Sequence, residues 1–476
     1  MNKKVALGLV ALGGGLVLAR RLASNGPLDA PAHHSQTEEA YLHAEHRVLI
    51  LGASFGGLQT ALALDRRLPP GHNTSILVVN QDNDMLFTPL LWTVADGRAA
   101  ASDVLVPIRA FQRGRAFHVL HAGVIGIDLD KRVVETTSGP RPYDVLVIAL
   151  GSVTALPNLP GLREHARLFH TTGDALQMRN HLIDAIEQAH QTEDPDERRA
   201  WLTFVVGGGG DTGIELAATI HDYLETGLLA KYPWLSDTPP HIVIAGRADR
   251  LLPMSTPRTS ASVRRVLESS GIEVRTGVSV TGATDRVVQT DQGDIPARTL
   301  FWAAGITAPP VVHDLPVDHA RNGALLVDDH LRIPQHPEVY VVGDAAWAYD
   351  SATGNPIPPT AQAAEHEGQY VGRAIAAELA GQPAPPFRFE PKGHLALLGK
   401  RTGVAEIGPL TFTGLPAWFM WHGYYLLHIP SWRNRLHLLT DWFLAGLTGR
   451  DTAQLRLGGE AEELVLPARK EPAGAG

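Results

Sequence analysis

The sequence predicts an α/β fold built from two copies of one strand–turn–helix–strand unit. The first copy begins with an apolar strand at Arg47 and ends with a strand at 75–80, and the second runs from a strand at 201–206 to one at 241–245. In each copy a Gly-rich turn and a helical stretch separate the strands, which is the pattern of parallel strands joined by a crossover helix. A chain of 476 residues also exceeds what one hydrophobic core usually spans. These observations predict at least two α/β domains.

Composition and charge exclude several classes of protein. The chain is 44% hydrophobic and 19% charged, as ordinary globular proteins are, and its net charge of -9 offers no basic footprint for nucleic acid. It has no cysteine, which excludes a disulfide scaffold, a thiolate metal site and catalysis through a redox-active dithiol. We therefore expect no nucleic-acid partner and no metal site.

The chain begins with a short apolar run at 5–19, followed by Arg20 and Arg21. At about 1.5 Å per residue, a helix over this run is short for a bilayer core of about 30 Å. Two arginines fit badly with the small residues of a cleavage site. We expect residues 1–21 to form a membrane anchor, with a signal peptide or a frayed apolar tail as the alternatives, and residues 22–45 to form a linker.

The first Gly-rich turn lies within RVLILGASFGGLQTALAL and carries Gly52, Ser54, Gly56 and Gly57. Gly52, Ser54 and Gly57 occupy the three glycine positions of the Gly-x-Gly-x-x-Gly pattern, whose bare backbone and helix N-terminus bind a pyrophosphate. Asn80 stands where an acidic residue usually holds the adenosine ribose, and its side chain can still accept a hydroxyl hydrogen bond. The alternative is a plain strand–turn–helix without a ligand.

The second Gly-rich turn, in FVVGGGGDTGIELAA, has the full pattern at Gly208, Gly210 and Gly213. This spacing between a strand and a helix indicates a nicotinamide nucleotide site. Gly246 replaces the acidic residue that usually selects an unphosphorylated ribose, and Arg247 follows it. Arginine attracts a 2′-phosphate, so NADPH is a possible co-substrate beside NADH, unless Arg247 points into solvent.

Three further apolar strands, at 144–149, 299–303 and 338–342, are each followed by small residues. A strand end without bulky side chains lets a ligand approach the backbone closely. We expect the glycines after these strands to contact a cofactor, namely Gly151, Gly305 and Gly343.

Taken together, these motifs resemble the flavoproteins with two dinucleotide-binding domains, most closely the type II NADH:quinone oxidoreductases, or alternative NADH dehydrogenases. The likeness runs from about Arg47 to Arg450 and includes MLFTPLLWTVADG, YDVLVIALGS, LFWAAG and VYVVGDAA in order. It implies an α/β fold with two Rossmann-like domains, one for FAD and one for NAD(P), and a C-terminal membrane-associating region. The domains implied are 46–160 and 306–390 for FAD, 161–305 for NAD(P)H, 391–455 for the amphipathic membrane-binding region, and 456–476 for a tail.

The resemblance also assigns roles to single residues. Asp344 would hold the ribitol of FAD, although a strand-end aspartate can also cap a helix. Glu215 would face the nicotinamide and the flavin, although a glutamate near a helix start can also be exposed and favoured by the helix dipole. In IPPTAQAAEHEGQY, Ala361 and Gln362 match a pair that borders the quinone, and His366 replaces a second glutamine. We expect a helix at 361–379 with Gln362 and His366 on one face.

The segment after Pro391 is rich in aromatic and basic residues, as in AWFMWHGYYLLHIPSWRNRLHLLTDWF. Such residues on amphipathic helices suit a membrane interface, but a dimer interface or an ordinary core would use them too. The expected partners are a membrane surface, a quinone and a second copy in a homodimer. The expected location is the cell membrane, bound peripherally or by the N-terminal anchor, with the catalytic part on the cytoplasmic side.

The reaction implied is hydride transfer from NADH or NADPH to FAD and then two-electron reduction of a membrane quinone, without proton pumping. The absence of cysteine counts against disulfide reductases and sulfide:quinone oxidoreductases, which need thiols. Two alternatives stay open. One is a reductase of a soluble protein such as ferredoxin, and the other is a flavin redox switch without useful turnover.

Overall fold

The computed structural model describes residues 38–68 and 72–455, which form a mixed α/β fold. The expected anchor at 1–21, the expected linker up to residue 37 and the expected tail at 456–476 lie outside the described residues.

The elements up to residue 160 begin the first sheet. The strands are β1 (His46–Leu51), β2 (Thr74–Asn80), β3 (Asp84–Leu86), β4 (Leu105–Pro107), β5 (Phe117–His121), β6 (Val124–Asp128), β7 (Val133–Thr136), β8 (Gly139–Pro142), β9 (Val145–Ile148) and β10 (Val153–Thr154). The helices are α1 (Glu38–Leu42), α2 (Phe55–Asp65), α3 (Leu91–Ala95), α4 (Ala101–Val104) and α5 (Arg109–Gln112), with a 3₁₀ turn at Thr88–Leu90.

The elements from 161 to 305 form the second sheet and a separate three-stranded antiparallel sheet. The strands are β11 (Ala166–Arg167), β12 (Thr203–Gly207), β13 (His241–Gly246), β14 (Glu273–Thr276), β15 (Val280–Ala283), β16 (Val287–Thr290), β17 (Ile295–Pro296) and β18 (Thr299–Trp302). The separate sheet has the order β15-β16-β17. The helices are α6 (Leu162–His165), α7 (Thr172–Gln191), α8 (Pro195–Trp201), α9 (Asp211–Tyr223) and α10 (Pro257–Ser269). A π-helical turn at Leu224–Leu228 continues α9, and a 3₁₀ turn lies at Pro233–Ser236.

The remaining chain completes the first sheet and adds a C-terminal unit. The strands are β19 (Ile306–Thr307), β20 (Leu325–Leu326), β21 (Arg332–Ile333), β22 (His336–Val341), β23 (Ala346–Trp347), β24 (His394–Leu397), β25 (Gly403–Ile407) and β26 (Leu410–Gly414). The helices are α11 (Pro310–His313), α12 (Ala361–Leu379), α13 (Leu415–His428) and α14 (Trp432–Thr448), with a 3₁₀ turn at Gly343–Ala345.

The first sheet has six strands in the order β21-β22-β9-β1-β2-β5. The four central strands and β5 run parallel, so their carboxyl ends meet at one edge. Both faces are covered, because Val48 and Ile50 of β1 pack into one core cluster and Leu49 and Leu51 into another. In open parallel sheets the ligand binds at this carboxyl edge, which is where the Gly52 turn lies.

The second sheet has five parallel strands in the order β11-β18-β12-β13-β14. All of its strands come from residues 166–302, between the two parts of the chain that build the first sheet. Both predicted strand–turn–helix–strand units are therefore present, each in its own parallel sheet. The predicted helix at 214–229 starts three residues earlier and ends as a π-helical turn.

Helices α2 and α12 pack unusually closely beside the first sheet. A β-carbon on Gly368 would lie 2.1 Å from the Gly56 carbonyl oxygen, and one on Gly372 would lie 2.6 Å from that of Thr60. Only glycines permit this approach of two helix backbones. The contact fixes the rotation of α12 and so determines which of its residues face the neighbouring cavities.

Two expectations about the chain's periphery need correction. The expected linker at 22–45 ends earlier than predicted, because α1 forms at 38–42, where Tyr41 is fully buried and its hydroxyl donates to the Pro142 carbonyl over 2.7 Å. The expected amphipathic region at 391–455 begins with the antiparallel sheet β24-β25-β26, and only then come α13 and α14. Among the described residues, no helix combines the length and apolar character needed to cross a bilayer.

Candidate active site

The first Gly-rich turn is held by its glycines and by Asn80. Gly52 has φ +96°, and its β-carbon would lie 2.3 Å from the Ala149 carbonyl oxygen. A β-carbon on Gly57 would lie 1.9 Å from the Gly52 carbonyl oxygen. The Asn80 side chain accepts a hydrogen bond from the Ala53 N–H over 2.8 Å. The Asn80 side chain thus stabilises the turn by a hydrogen bond. Gly52 and Gly57 allow the backbones of β1, the turn and α2 to approach each other closely.

A cavity of about 900 Å³, here called the large cavity, lies over this edge of the first sheet. Ser54, at the N-cap of α2, makes no side-chain capping bond, so the first-turn N–H groups can serve an anionic ligand. Of the sequence-predicted residues, the cavity wall includes Gly52, Ser54, Gly56, Asn80, Gly151, Gly343, Asp344 and Ala361. Gly57 and Gly305 are not in the wall. The cavity wall contains glycines with positive φ, namely Gly52, Gly151 and Gly343, beside the N-terminus of α2. Such a wall fits a dinucleotide such as FAD.

Asp344 lies in the wall of the large cavity, and Glu367 lies just outside that wall. The Asp344 carboxylate accepts a hydrogen bond from the Ser152 hydroxyl over 2.7 Å, and burial raises the pKa of Asp344 although this bond opposes the shift. Behind it, Glu367 is 3% exposed and accepts the Gly343 N–H over 2.5 Å. Burial raises the pKa of Glu367 to about 8. Ser152 and Glu367 were not predicted as site residues, although both lie within motifs that carry the family resemblance.

The second Gly-rich turn has the same construction as the first. Gly208 has φ +130°, and a β-carbon on Gly213 would lie 2.0 Å from the Gly208 carbonyl oxygen. A β-carbon on Gly210 would meet nothing within 4 Å. Gly246 is buried at the end of β13, and Arg247 after it is exposed. Thr212, in the first turn of α9, lines the large cavity, so the helix that follows the second turn reaches the site of the first.

Glu215 connects the second sheet's helix α9 to the C-terminal sheet. Its carboxylate accepts the Leu397 N–H of β24 over 2.8 Å. Burial raises the pKa of Glu215 to about 8, because the hydrogen bond from Leu397 offsets only part of the desolvation. Glu215 is therefore not the exposed glutamate of the alternative interpretation.

A second cavity of about 360 Å³, here called the small cavity, lies between α12, β24 and α13. Phe55, Thr360 and Ala361 line both cavities, so the two are adjacent. The rest of its wall is mostly apolar or aromatic, with a few polar groups, and comprises Phe87, Pro89, Gln362, Glu365, Lys392, Gly393, His394, Leu395, Ile407, Met420, Tyr424, Tyr425 and His428. Such a wall suits a flat, largely apolar ligand with a few polar atoms.

The polar groups of the small cavity differ from those that the sequence suggested. Gln362 lines it as expected, and its side-chain oxygen accepts the Lys392 N–H over 3.1 Å. His366 does not line it; its ring packs edge-on against Phe389 with centroids 5.7 Å apart, and burial lowers the pKa of His366. Glu365 lines the cavity instead, and burial raises the pKa of Glu365 to about 7.

Comparison with known proteins agrees with this arrangement. A family model described as Pyridine nucleotide-disulphide oxidoreductase matches residues 46–368, and one described as NDH2 C-terminal domain matches residues 392–451. Type II NADH:quinone oxidoreductase Ndh of Mycobacterium tuberculosis is 31% identical over 422 residues, covering 85% of this chain and 89% of the relative. Demethylphylloquinone reductase NdbB of Synechocystis is 32% identical over 410 residues, covering 84% and 96%.

A solved structure extends the likeness to the fold. NDH2 from Plasmodium falciparum in complex with NADH superposes with a TM-score of 0.77 at 21% identity, covering 86% of this chain and all of that chain (100%). The mixed α/β architecture predicted from the sequence is therefore confirmed. The family matches and the two curated relatives, taken with the two adjacent cavities, show that this chain belongs to the type II NADH:quinone oxidoreductases.

Proposed function

We propose that this chain is a FAD-dependent oxidoreductase that transfers a hydride from NADH to FAD and two electrons on to a membrane quinone. The observation that carries the proposal is the shared wall of the two cavities, formed by Phe55, Thr360 and Ala361. If FAD occupies the large cavity and a quinone the small one, this common wall would hold the flavin and the quinone close together. When bound, FAD accepts the hydride and passes two electrons to the acceptor.

The residues of the large cavity would bind and orient the cofactor. The Gly52 turn and the start of α2 would receive the pyrophosphate, and Asp344 would bind the ribitol hydroxyls. Glu215, held by Leu397, would border the nicotinamide from the second domain. These groups work by positioning, which converts transfer between two bound molecules into a step of fixed geometry.

Gln362 would orient the quinone in the small cavity. We expect Gln362→Leu to raise the KM for a short-chain quinone about tenfold, because one polar contact to a quinone oxygen is lost. The matched control is Gln369→Leu on the same helix, whose side chain contacts Gln59 and lines neither cavity. The measurement is steady-state NADH oxidation by flavin-loaded protein in detergent with a short-chain quinone as acceptor. Wild-type protein that oxidises NADH only when a ferredoxin-type protein is added would contradict the proposal.

The nucleotide site would accept NADPH as well as NADH. Gly246 provides no carboxylate to repel a 2′-phosphate, and exposed Arg247 follows it. We expect Arg247→Ala to raise the KM for NADPH about tenfold and to leave the KM for NADH unchanged. Equal changes in the KM for NADPH and for NADH would show that Arg247 does not bind the 2′-phosphate.

The C-terminal helices would bind a membrane surface peripherally, on the cytoplasmic side of the cell membrane where NADH is found. Phe419, Trp432 and Phe443 are 64%, 63% and 67% exposed, whereas Trp421 is buried. The exposed apolar set on α13 and α14 also includes Leu415, Leu427, Leu436, Leu439, Leu444 and Leu447. Soluble proteins rarely expose so many large apolar residues on neighbouring helices without a partner.

Vesicle flotation tests the membrane surface. We expect Phe443→Asp with Leu447→Asp to abolish flotation with anionic phospholipid vesicles and to leave NADH oxidation with a short-chain quinone intact. Thr440→Asp with Thr448→Asp adds the same two charges at exposed polar positions of α14 and is the control. A double variant that still floats but changes from dimer to monomer in light scattering would assign this face to the homodimer instead.

A further inference from the structure

Reduction of a quinone by NADH consumes a proton that neither reactant supplies. The balanced reaction is NADH + H⁺ + quinone → NAD⁺ + quinol, so one of the two quinol O–H protons comes from an acid other than NADH. The wall of the small cavity is mostly apolar, and an acid group in that wall is a direct source of the proton. The inference below rests on the proposed function.

Glu365 is the one carboxylic acid in the wall of the small cavity, as far as the described residues go. It is half-buried on α12, four residues after Ala361, which belongs to the wall shared by both cavities. Residues four apart lie on the same face of a helix, about 6 Å apart along its axis. A flat ligand that touches the shared wall is therefore within reach of Glu365.

The Glu365 carboxylate is free to meet a ligand. Within the described part of the chain its oxygens have no hydrogen-bond partner, and protein atoms seal off neither oxygen. His394, also in the wall, differs in both respects: its Nε2 lies 2.5 Å from the Asp211 carboxylate, and its Nδ1 is fully enclosed. Glu365 can therefore present an O–H group to the cavity, whereas His394 cannot present an N–H group.

The surroundings of Glu365 favour its protonated form. Burial raises the pKa of Glu365 to about 7, and the positive charge of Lys392, before β24, offsets only part of that shift. Burial also raises the pKa of the Tyr424 and Tyr425 phenols on α13, which makes them poorer acids. The other titratable groups in the wall are His394 on β24 and His428 on α13, whose Nδ1 lies 2.7 Å from the Tyr424 carbonyl oxygen.

We propose that Glu365 donates the required proton to the quinone bound in the small cavity. The carboxyl O–H bond of Glu365 breaks and an O–H bond forms on a quinone oxygen, while the two electrons and the second proton derive from NADH. After the quinol leaves, water entering the cavity returns a proton to the carboxylate. Glu365 is then a catalytic residue, and Gln362 on the same helix orients the quinone beside it.

Stopped-flow reoxidation of the reduced, flavin-loaded protein by two acceptors tests this role. Ferricyanide takes up electrons without a proton, whereas a quinone takes up both. Glu365→Gln keeps the shape of the side chain but cannot supply the proton, so reoxidation by a saturating short-chain quinone is expected to slow about 100-fold. Reoxidation by ferricyanide is expected to stay within about twofold of wild type, which also shows that the variant is folded and holds its flavin.

The pH dependence of the same step gives a second readout. Only the protonated carboxyl group can donate, so the wild-type rate with quinone is expected to fall as the pH rises through about 7, and this fall is expected to be absent in Glu365→Gln. Glu365→Asp supplies a shorter acid and is expected to restore the pH dependence with part of the rate. The control is Glu390→Gln, an exposed glutamate that lines neither cavity.

Reoxidation of Glu365→Gln by quinone at the wild-type rate would overturn the proposal. So would a raised KM for quinone with an unchanged limiting rate, because Glu365 would then only bind the quinone. A pH dependence that disappears in His428→Asn and persists in Glu365→Gln would make His428 the donor instead. Failure of the wild-type flavin to be reoxidised by any quinone, while ferricyanide reoxidises it, would overturn the proposed function and this inference with it.

Discussion

At the scale of single residues, the glycines of the second turn serve two purposes that can be separated. Gly213 is needed for folding, because its β-carbon would overlap the Gly208 carbonyl oxygen at 2.0 Å. Gly210 faces open space in the protein. We expect Gly213→Ala to yield little folded protein. Gly210→Ala is expected to fold with an unchanged melting temperature but to raise the KM for NADH severalfold, because the added methyl group occupies the ligand's space. Equal melting temperatures for the two variants would contradict this division.

Glu367 makes stability depend on pH. Its pKa is about 8 in the folded protein and 4.5 in a model peptide, so the folded state binds more protons between these values. The contribution of Glu367 to the free energy of unfolding is therefore highest below about pH 4.5. It falls by up to about 1.4 kcal/mol per pH unit as the pH rises toward 8. We expect Glu367→Gln, which keeps the acceptor for Gly343, to remove this loss.

Denaturant unfolding of flavin-loaded protein at pH 5 and pH 8 measures the effect. The control is Glu268→Gln, an exposed glutamate on α10. If wild type and Glu367→Gln lose the same stability between the two pH values, Glu367 is ionised throughout and the assignment is wrong.

At the scale of elements, α14 packs against residues 102–105 of the first domain through only two buried residues. Its buried residues are Asn434 and Leu438, and the Asn434 amide donates to the carbonyl oxygens of Ser102, Asp103 and Leu105 at 3.2, 2.9 and 3.0 Å. We expect Asn434→Ala to destabilise the protein by about 1–3 kcal/mol, since buried carbonyl groups lose their donor.

Chemical denaturation checks this prediction, and limited proteolysis shows whether α14 becomes accessible. Exposed Arg433→Ala on the same helix is the control. An Asn434→Ala protein as stable as the control would mean that apolar contacts alone hold α14.

Local patterns predicted the elements better than the site. The helix at 361–379 was predicted at its observed bounds. Which residues of this helix face the small cavity depends on the packing of Gly368 against Gly56. The family resemblance pointed to His366, whereas Glu365 lines the wall. The pair Asp211–His394 joins residues 183 positions apart, and no local pattern signals it.

At the scale of the whole molecule, a buried charge cluster joins three parts of the chain. Arg450, after α14, lies 2.6 Å from Asp222 of α9 and 3.4 Å from Asp96, which follows α3. Asp96 and Asp222 are both fully or almost fully buried. We expect Arg450→Met to cost about 3–5 kcal/mol, because it leaves a buried carboxylate without its cation.

Thermal unfolding of Arg450→Met against Lys400→Met, an exposed position, measures this cost. A change within about 0.5 kcal/mol of the control would mean that Arg98, 2.5 Å from Asp96, suffices to hold the cluster.

We expect electrons to pass from NADH in one site to a quinone in the adjacent small cavity. The most direct measurement is a double-mixing stopped-flow experiment under anaerobic conditions, in which flavin-loaded protein meets one equivalent of NADH and then a short-chain quinone. NADH is expected to bleach the flavin and quinone to restore it, each at a rate no lower than steady-state turnover. If NADH bleaches the flavin, quinone leaves it reduced and a soluble electron-transfer protein reoxidises it, the acceptor is a protein and the small cavity is not a quinone site.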